Sequence, residues 1–211
     1  MTQIDETCPG VVVNMGEITN KETGMLASAF TMMRAKADFV QQFIRNPRAI
    51  GSITPSSEAL CRAMTEAVNL QRQLRIAELG AGDGVLTRQI LLRMGSKCQL
   101  DAFEISPPLV EKLHQINDPR LHVRACSAEL LSGEYDVVFS GLPLLSLAPA
   151  LRDTILAAVH DVLGTHGVFV QFQYTSLTQP DLSRYFTWQR QRVLKNVPPA
   201  WVYRCTRHYA P

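Results

Sequence analysis

A strand that runs into a glycine-rich turn and then a helix, Glu78-Leu79-Gly80-Ala81-Gly82-Asp83-Gly84, constrains this chain more than any other feature. Leu74 to Leu79 reads as the strand, and the helix starts at about Val85. Glycines in such a turn let the chain bend sharply and let a ligand lie against the backbone, where a side chain would block it. The alternation then continues. Strands at Leu100 to Ile105, Leu121 to Ala125, Tyr135 to Ser140 and Gly167 to Phe172 are separated by a helix after Pro107-Pro108 and another from Pro149 to Leu163, ended by Gly164. The tail differs: Trp188 to Leu194 and Trp201 to Arg207 read as two strands joined by a turn at Pro198-Pro199. Strands alternating with helices imply a parallel sheet with right-handed crossovers, and a terminal hairpin adds an antiparallel edge. The predicted fold class is therefore α/β: a doubly wound, mostly parallel sheet with a C-terminal antiparallel hairpin and an N-terminal helical extension.

The extension has parts of its own. Residues 1–23 are polar and read as a flexible arm. From Met25 to Arg45, apolar residues recur at Leu26, Phe30, Met33, Ala37, Val40 and Ile44, in steps that place them on one helical face. Asn46-Pro47 stops that helix, since the residue before a proline disfavours the α region. A second helix follows, with Thr54 as its cap, Pro55 in its first turn and Glu58 near its positive end. Residues 24–69 are thus a pair of N-terminal helices, and 70–211 are the α/β domain.

Composition excludes several classes. A net charge of 21 − 19 = +2 is too small for a surface built to coat nucleic acid. Five cysteines, at 8, 61, 98, 126 and 205, are odd in number and contain no C-x-x-C pair, which argues against a disulfide framework or a zinc site and for reduced thiols in the cytoplasm. The uncharged run Val137 to Leu151 is too short to span a bilayer and holds Gly141, Pro143 and Pro149. The first ten residues carry no secretory pattern.

Glu104 follows the glycine loop by about twenty residues, at the end of the second strand. In doubly wound folds an acid there accepts hydrogen bonds from ribose hydroxyls. The loop reads E-x-G-x-G-x-G, which is neither the dinucleotide G-x-G-x-x-G nor a P-loop with its lysine.

The run from Glu78 to Gly84 with Glu104 after it resembles the cofactor site of class I S-adenosylmethionine methyltransferases. Five runs in order resemble, more narrowly, the bacterial phosphatidylethanolamine N-methyltransferases: Phe43 to Ser57, Glu78 to Thr87, Ser140 to Leu147, Val170 to Tyr174 and Pro198 to Arg204. The resemblance implies S-adenosyl-L-methionine as cofactor, no metal, and a phospholipid whose amine is methylated, from phosphatidylethanolamine toward phosphatidylcholine. It implies cofactor contacts at Glu78, which helps fix the loop and the amino end, and at Gly80, Ala81, Gly82, Gly84, Glu104 and Ile105. Ser52, Ser140 and Leu142 complete the set with Ser127, Ala128 and Glu129. This last run departs from the family, which carries Asp-Ala there, so the adenine contact falls to Ser127, to Glu129 or to backbone.

Ser140-Gly141-Leu142-Pro143 stands after the fourth strand, where amino methyltransferases of this fold place the acceptor nitrogen. Those acting on planar bases or amides carry an Asn or Asp and an aromatic ring there; serine without an aromatic suits an aliphatic amine. Methyl transfer is an in-line displacement that depends on positioning, and its cationic transition state favours aromatic faces and carbonyl oxygens. Ser140, Tyr174 and Tyr203 are the candidate catalytic residues. No general base stands out, because His160 and His166 fall on a helix and a turn, and deprotonation is left to solvent or substrate phosphate. The helix at 25–45, extended to Arg48, carries 4 − 1 = +3 and an apolar face flanked by Phe39 and Phe43. It is the expected contact with an anionic membrane surface, for a cytoplasmic protein peripheral to the inner membrane. Two alternatives stand beside this reading: a nucleic-acid methyltransferase like the ribosomal adenine dimethylases, and a non-catalytic cofactor-binding protein at the membrane.

Overall fold

The computed structural model describes residues 57–72, 74–196 and 199–208. The arm at 1–23, the helix expected at 25–45, its membrane contact and Ser52 lie outside these residues.

The first described helix, α1, spans Glu58–Glu66. Its cap is Ser57 and not Thr54 as the sequence suggested: Ser57 is extended, and its hydroxyl accepts from the Leu60 N–H at 3.2 Å. Both Thr54 and Ser57 are good capping types, so propensity could not choose between them; the Ser57 cap is worth about 1 kcal/mol. Glu58 then sits in the first turn, against the positive end of the helix dipole.

Seven strands form one sheet: β1 (Arg75–Leu79), β2 (Gln99–Phe103), β3 (Leu121–Arg124), β4 (Tyr135–Ser140), β5 (Leu163–Gln173), β6 (Phe186–Val193) and β7 (Ala200–Arg207). Their spatial order is β3-β2-β1-β4-β5-β7-β6. The pairings among β1 to β5 are all parallel, and β7 is antiparallel to both its neighbours. Order reverses between β1 and β4, and in open α/β sheets the crevice outside the carboxyl ends at such a switch is where ligands bind. The helices α2 (Val85–Arg93), α3 (Pro107–His114), α4 (Pro149–Val162) and α5 (Gln179–Tyr185) complete the described elements, with short 3-10 turns at Ala128–Leu130 and Leu144–Ser146.

Alternate residues of each central strand feed two cores. On one face Ile76, Leu100, Phe139 and Val170 pack with Leu60 and Met64 of α1 and Ile90 of α2. On the other face Leu79, Val138, Phe169 and Tyr203 pack with Ile155 and Val159 of α4. Burial on both faces is why these strands read as nearly continuous apolar runs. Asp101 interrupts β2 but is buried among Arg75, Arg124 and the Tyr135 hydroxyl, at 3.5, 3.0 and 2.9 Å. Leaving that carboxylate unpaired would cost about 3–5 kcal/mol, so the cluster ties β1, β2, β3 and β4 together.

Two elements differ from expectation. Leu163 is already extended (φ −71°, ψ 125°) and pairs with Tyr135, so helix α4 passes directly into β5 and Gly164 does not end it. Helix α5 was not foreseen. It is one short segment with Pro180 in its first turn and Leu182 as its buried residue, too brief for a helical period to show. Among the described residues no helix is long and apolar enough to cross a membrane.

Candidate active site

The glycine loop leaves β1 at its carboxyl end and is held from β2: the N–H groups of Gly80 and Ala81 donate to the Phe103 carbonyl at 2.9 and 3.1 Å. Gly82 has φ +60°, a left-handed conformation costly for other residues, and a Cβ built there would meet no other described residue within 4 Å. Among the described residues the space above it is open, so there the glycine keeps room for a ligand against the backbone. Gly80 serves a different purpose, because a Cβ there would come within 2.7 Å of the Leu142 side chain. The turn after β4 is pressed against the glycine loop, and the Gly141 N–H donates to the Leu79 carbonyl at 3.0 Å.

Glu104, just past β2, is 4% exposed and reaches into the same loop. One carboxylate oxygen accepts from the Gly82 N–H at 2.9 Å; the other accepts from the N–H groups of Ile105 and Ser106, each at 2.8 Å. The sequence reading gave this acid to a ribose alone. In the structure it staples the loop, with lone-pair capacity left on the oxygen nearer Gly82.

Glu78 is buried at the end of β1, and its carboxylate accepts from the Thr87 hydroxyl on α2 at 2.7 Å. Burial, opposed by that hydrogen bond and reinforced by Glu104 and Asp83, pushes its pKa up to about 8. Cys61 of α1 feels the same field: burial, then Glu78 and Asp83, raise its thiol to about 12, so it stays protonated. Ser127, half-buried, precedes the turn that holds buried Ala128 and half-buried Glu129 on the connection after β3, and its hydroxyl makes no capping bond. Among the described residues no group of His, Cys, Asp and Glu is arranged to hold a metal.

The turn after β4 is held from both β4 and β5. Ser140 is 1% exposed and its hydroxyl accepts from the Leu142 N–H at 3.2 Å. The Leu142 carbonyl in turn accepts from two side-chain amides of β5, Gln171 at 3.1 Å and Gln173 at 3.3 Å. Gln171 is fully buried, also donates to the Phe172 carbonyl at 2.7 Å, and has no partner for its own amide oxygen among the described residues. A buried orphan acceptor costs about 1–3 kcal/mol, and such costs collect at functional sites.

The three candidate catalytic residues do not form one cluster. Ser140 pairs in register with Gln171, and Gln171 with Tyr203, so these three share a face. Tyr203 is fully buried, its ring edge-on to Trp188 at 5.4 Å and its hydroxyl accepting from Gln179 at 3.1 Å. Tyr174 belongs to the opposite face, edge-on to Phe172 at 5.7 Å and packed on the core that holds α1. Burial raises its phenol, with Asn196 pulling the other way. His160 stacks near Tyr185 and Phe186, at 6.2 and 6.0 Å, and exposed His166 lies in the first half of β5, away from the glycine loop.

Thr87, Gln171 and Gln173 had no assigned role in the sequence reading. The glutamines left a signal: polar residues at alternate positions in Val170-Gln171-Phe172-Gln173, a strand otherwise apolar, share one buried face.

The family described as methyltransferase domain matches residues 76–167. Over 93% of this chain and 94% of the other, the fold superposes on the 1,6-didemethyltoxoflavin-N1-methyltransferase of Burkholderia thailandensis, with a TM-score of 0.64 and 20% identity; that structure holds 1,6-didemethyltoxoflavin and S-adenosylhomocysteine. The N-methyltransferase NodS of Bradyrhizobium japonicum, also with S-adenosylhomocysteine, gives a TM-score of 0.60 at 13% identity over 74% of this chain and 90% of that one. Sheet order, glycine loop and matched domain define the class: this is the fold of class I methyltransferases, whose cofactor is S-adenosylmethionine. Among named relatives, the ornithine lipid N-methyltransferase of Singulisphaera acidiphila is 26% identical over an aligned stretch of 179 residues that covers 79% of this chain and 93% of that protein.

Proposed function

We propose that this protein is an S-adenosylmethionine-dependent N-methyltransferase acting on the amine of a membrane lipid, phosphatidylethanolamine first and its methylated products after it. The observation that carries the lipid reading is the likeness to a lipid N-methyltransferase across nearly that enzyme's whole length. The site fits the cofactor: a clear space over Gly82, a carboxylate at Glu104 with capacity to spare, and the buried Glu78 beneath the loop. Glu104 would hold the ribose, Glu78 would support the amino end, and Ser127 or Glu129 would meet the adenine. Bound there, the cofactor supplies an electrophilic methyl group on a sulfonium.

The chain's own residues do the positioning. Gly80 and Leu142 keep the cofactor loop and the acceptor turn in contact, so donor and acceptor are fixed relative to each other. Ser140, Gln171 and Gln173 hold that turn with neutral dipoles, and none of the turn's own residues is aromatic. An aliphatic amine is the acceptor such a turn suits. Residues 25–48 bring the enzyme to an anionic membrane surface, peripheral to the cytoplasmic face of the inner membrane; sedimentation with anionic and neutral liposomes at two salt levels tests that part, with Phe39→Ser/Phe43→Ser expected to lower binding.

Substrate identity is tested by mass spectrometry of phosphatidylethanolamine and of ornithine lipid after incubation with S-adenosylmethionine in mixed micelles. Stepwise methyl additions to phosphatidylethanolamine are expected. Additions to ornithine lipid alone would replace phosphatidylethanolamine as the substrate.

A further inference from the structure

The face of the sheet that carries Ser140 and Gln171 continues outward to two arginines. In register, Gln171 pairs with Tyr203 and Tyr203 with Arg190; one row nearer the carboxyl end of β5, Gln173 pairs with Trp201 and Trp201 with Arg192. Both guanidinium groups lie over the Trp201 ring, at 4.1 Å for Arg190 and 5.3 Å for Arg192. Both arginines are exposed, and neither meets a carboxylate among the described residues. Other arginines of this domain do: Arg152 pairs with Asp181, and Arg184 with Asp153. Two like charges on one half-buried indole repel each other unless an anion lies between or before them, and the ring holds them in place for it.

We propose that Arg190 and Arg192, seated on Trp201, form an anion subsite that takes the negative group of a zwitterionic amine lipid while its amine lies at the Ser140–Pro143 turn. The inference rests on the lipid reading of the site and adds how the headgroup is recognised. Strands stand about 4.8 Å apart, so the guanidinium groups over β7 are about 10 Å from the turn after β4. A short aminoalkyl spacer with a hydrogen bond at each end covers that distance. Phosphate in phosphatidylethanolamine and carboxylate in ornithine lipid are the two sources of such an anion.

The test uses the full-length protein and short-chain lipid kept below its critical micelle concentration, so that membrane contact plays no part. For Arg190→Gln/Arg192→Gln, the KM for dihexanoyl phosphatidylethanolamine should rise on the order of tenfold to a hundredfold, with kcat little changed. Calorimetric titration of the same lipid, with S-adenosylhomocysteine present, should show the matching loss, while the affinity for S-adenosylhomocysteine itself stays put. Trp201→Leu, which keeps both charges but not their platform, should show a smaller rise. A neutral aminoethyl ether of the same diglyceride should be handled equally by wild type and variant. A short-chain acyl ornithine run in parallel separates the sources: a loss confined to one lipid names the anion, and a loss on both supports a shared subsite. An unchanged KM, an equal loss on the neutral ether, or a loss seen only with vesicles overturns the proposal. Wild-type protein that methylates neither lipid overturns the lipid reading and the subsite with it.

Discussion

The two halves of this sheet meet at the switch between β1 and β4, and they are built on opposite plans. On the β1–β2 side the candidate site is made mainly from backbone, glycines and N–H groups, with two carboxylate side chains, all within one stretch from Glu78 to Ser106. On the β4–β5–β7–β6 side it is made from side chains that register brings together, with Ser140, Gln171, Tyr203 and Arg190 from four strands in one row. The first half must accept one invariant ligand, and backbone geometry suffices. The second must fit an acceptor, and side chains are what vary. A chain divided this way should lose cofactor binding and acceptor handling separately.

Gly82→Val should give the largest break. No other described residue lies within 4 Å of a Cβ there, so the expected cost to the fold is the left-handed strain of about 1–2 kcal/mol, yet the cleared space is filled. Calorimetry with S-adenosylhomocysteine should show affinity lost by more than about a hundredfold, with circular dichroism confirming the fold. Glu104→Ala should weaken the same titration by about tenfold to a few hundredfold, since it removes both the ribose acceptor and the staple on Gly82. Unchanged affinity in either folded variant would return that residue to turn geometry alone.

Acceptor-side changes should show the reverse pattern. Gln171→Leu/Gln173→Leu frees the Leu142 carbonyl, so lipid methylation should fall by about tenfold or more while S-adenosylhomocysteine affinity stays within about twofold. Equal losses in both assays would mean that the two halves are one mechanical unit.

A stability effect, separate from either assay, concerns Glu78. Its folded pKa of about 8 lies above the ordinary value of 4.5, so between those values the folded state keeps a proton that the unfolded chain has released. Stability of the cofactor-free protein should therefore be full below the lower value and fall as pH rises toward the higher one, by no more than about 1.4 kcal/mol per pH unit. Urea titrations from pH 6 to 9 should show this slope flattened in Glu78→Gln. An identical slope in that variant would remove Glu78 as its source.

The same division governs what could be read from the chain beforehand. Helix–strand alternation foretold the doubly wound sheet and its antiparallel edge, because each element announces itself locally. The turn on the β1–β2 side was legible for the same reason: Glu78, Gly80, Gly82 and Gly84 fall in one short run, and Glu104, which accepts from the Gly82 N–H, follows at a fixed interval. Gln171, Trp201, Arg190 and Arg192 are separated by up to 30 residues and meet through antiparallel pairing whose register no local pattern states. The cap of α1 was misplaced because Thr54 and Ser57 compete on equal terms, and α5 was missed because seven residues carry no period.

The central claim is that this fold delivers a methyl group to a lipid amine. The most direct measurement incubates the protein with methyl-labelled S-adenosylmethionine, phosphatidylethanolamine micelles and ribosomal RNA in one reaction, then separates lipid from RNA. Label in the lipid fraction, on nitrogen, is the expected result. Label confined to RNA would contradict it.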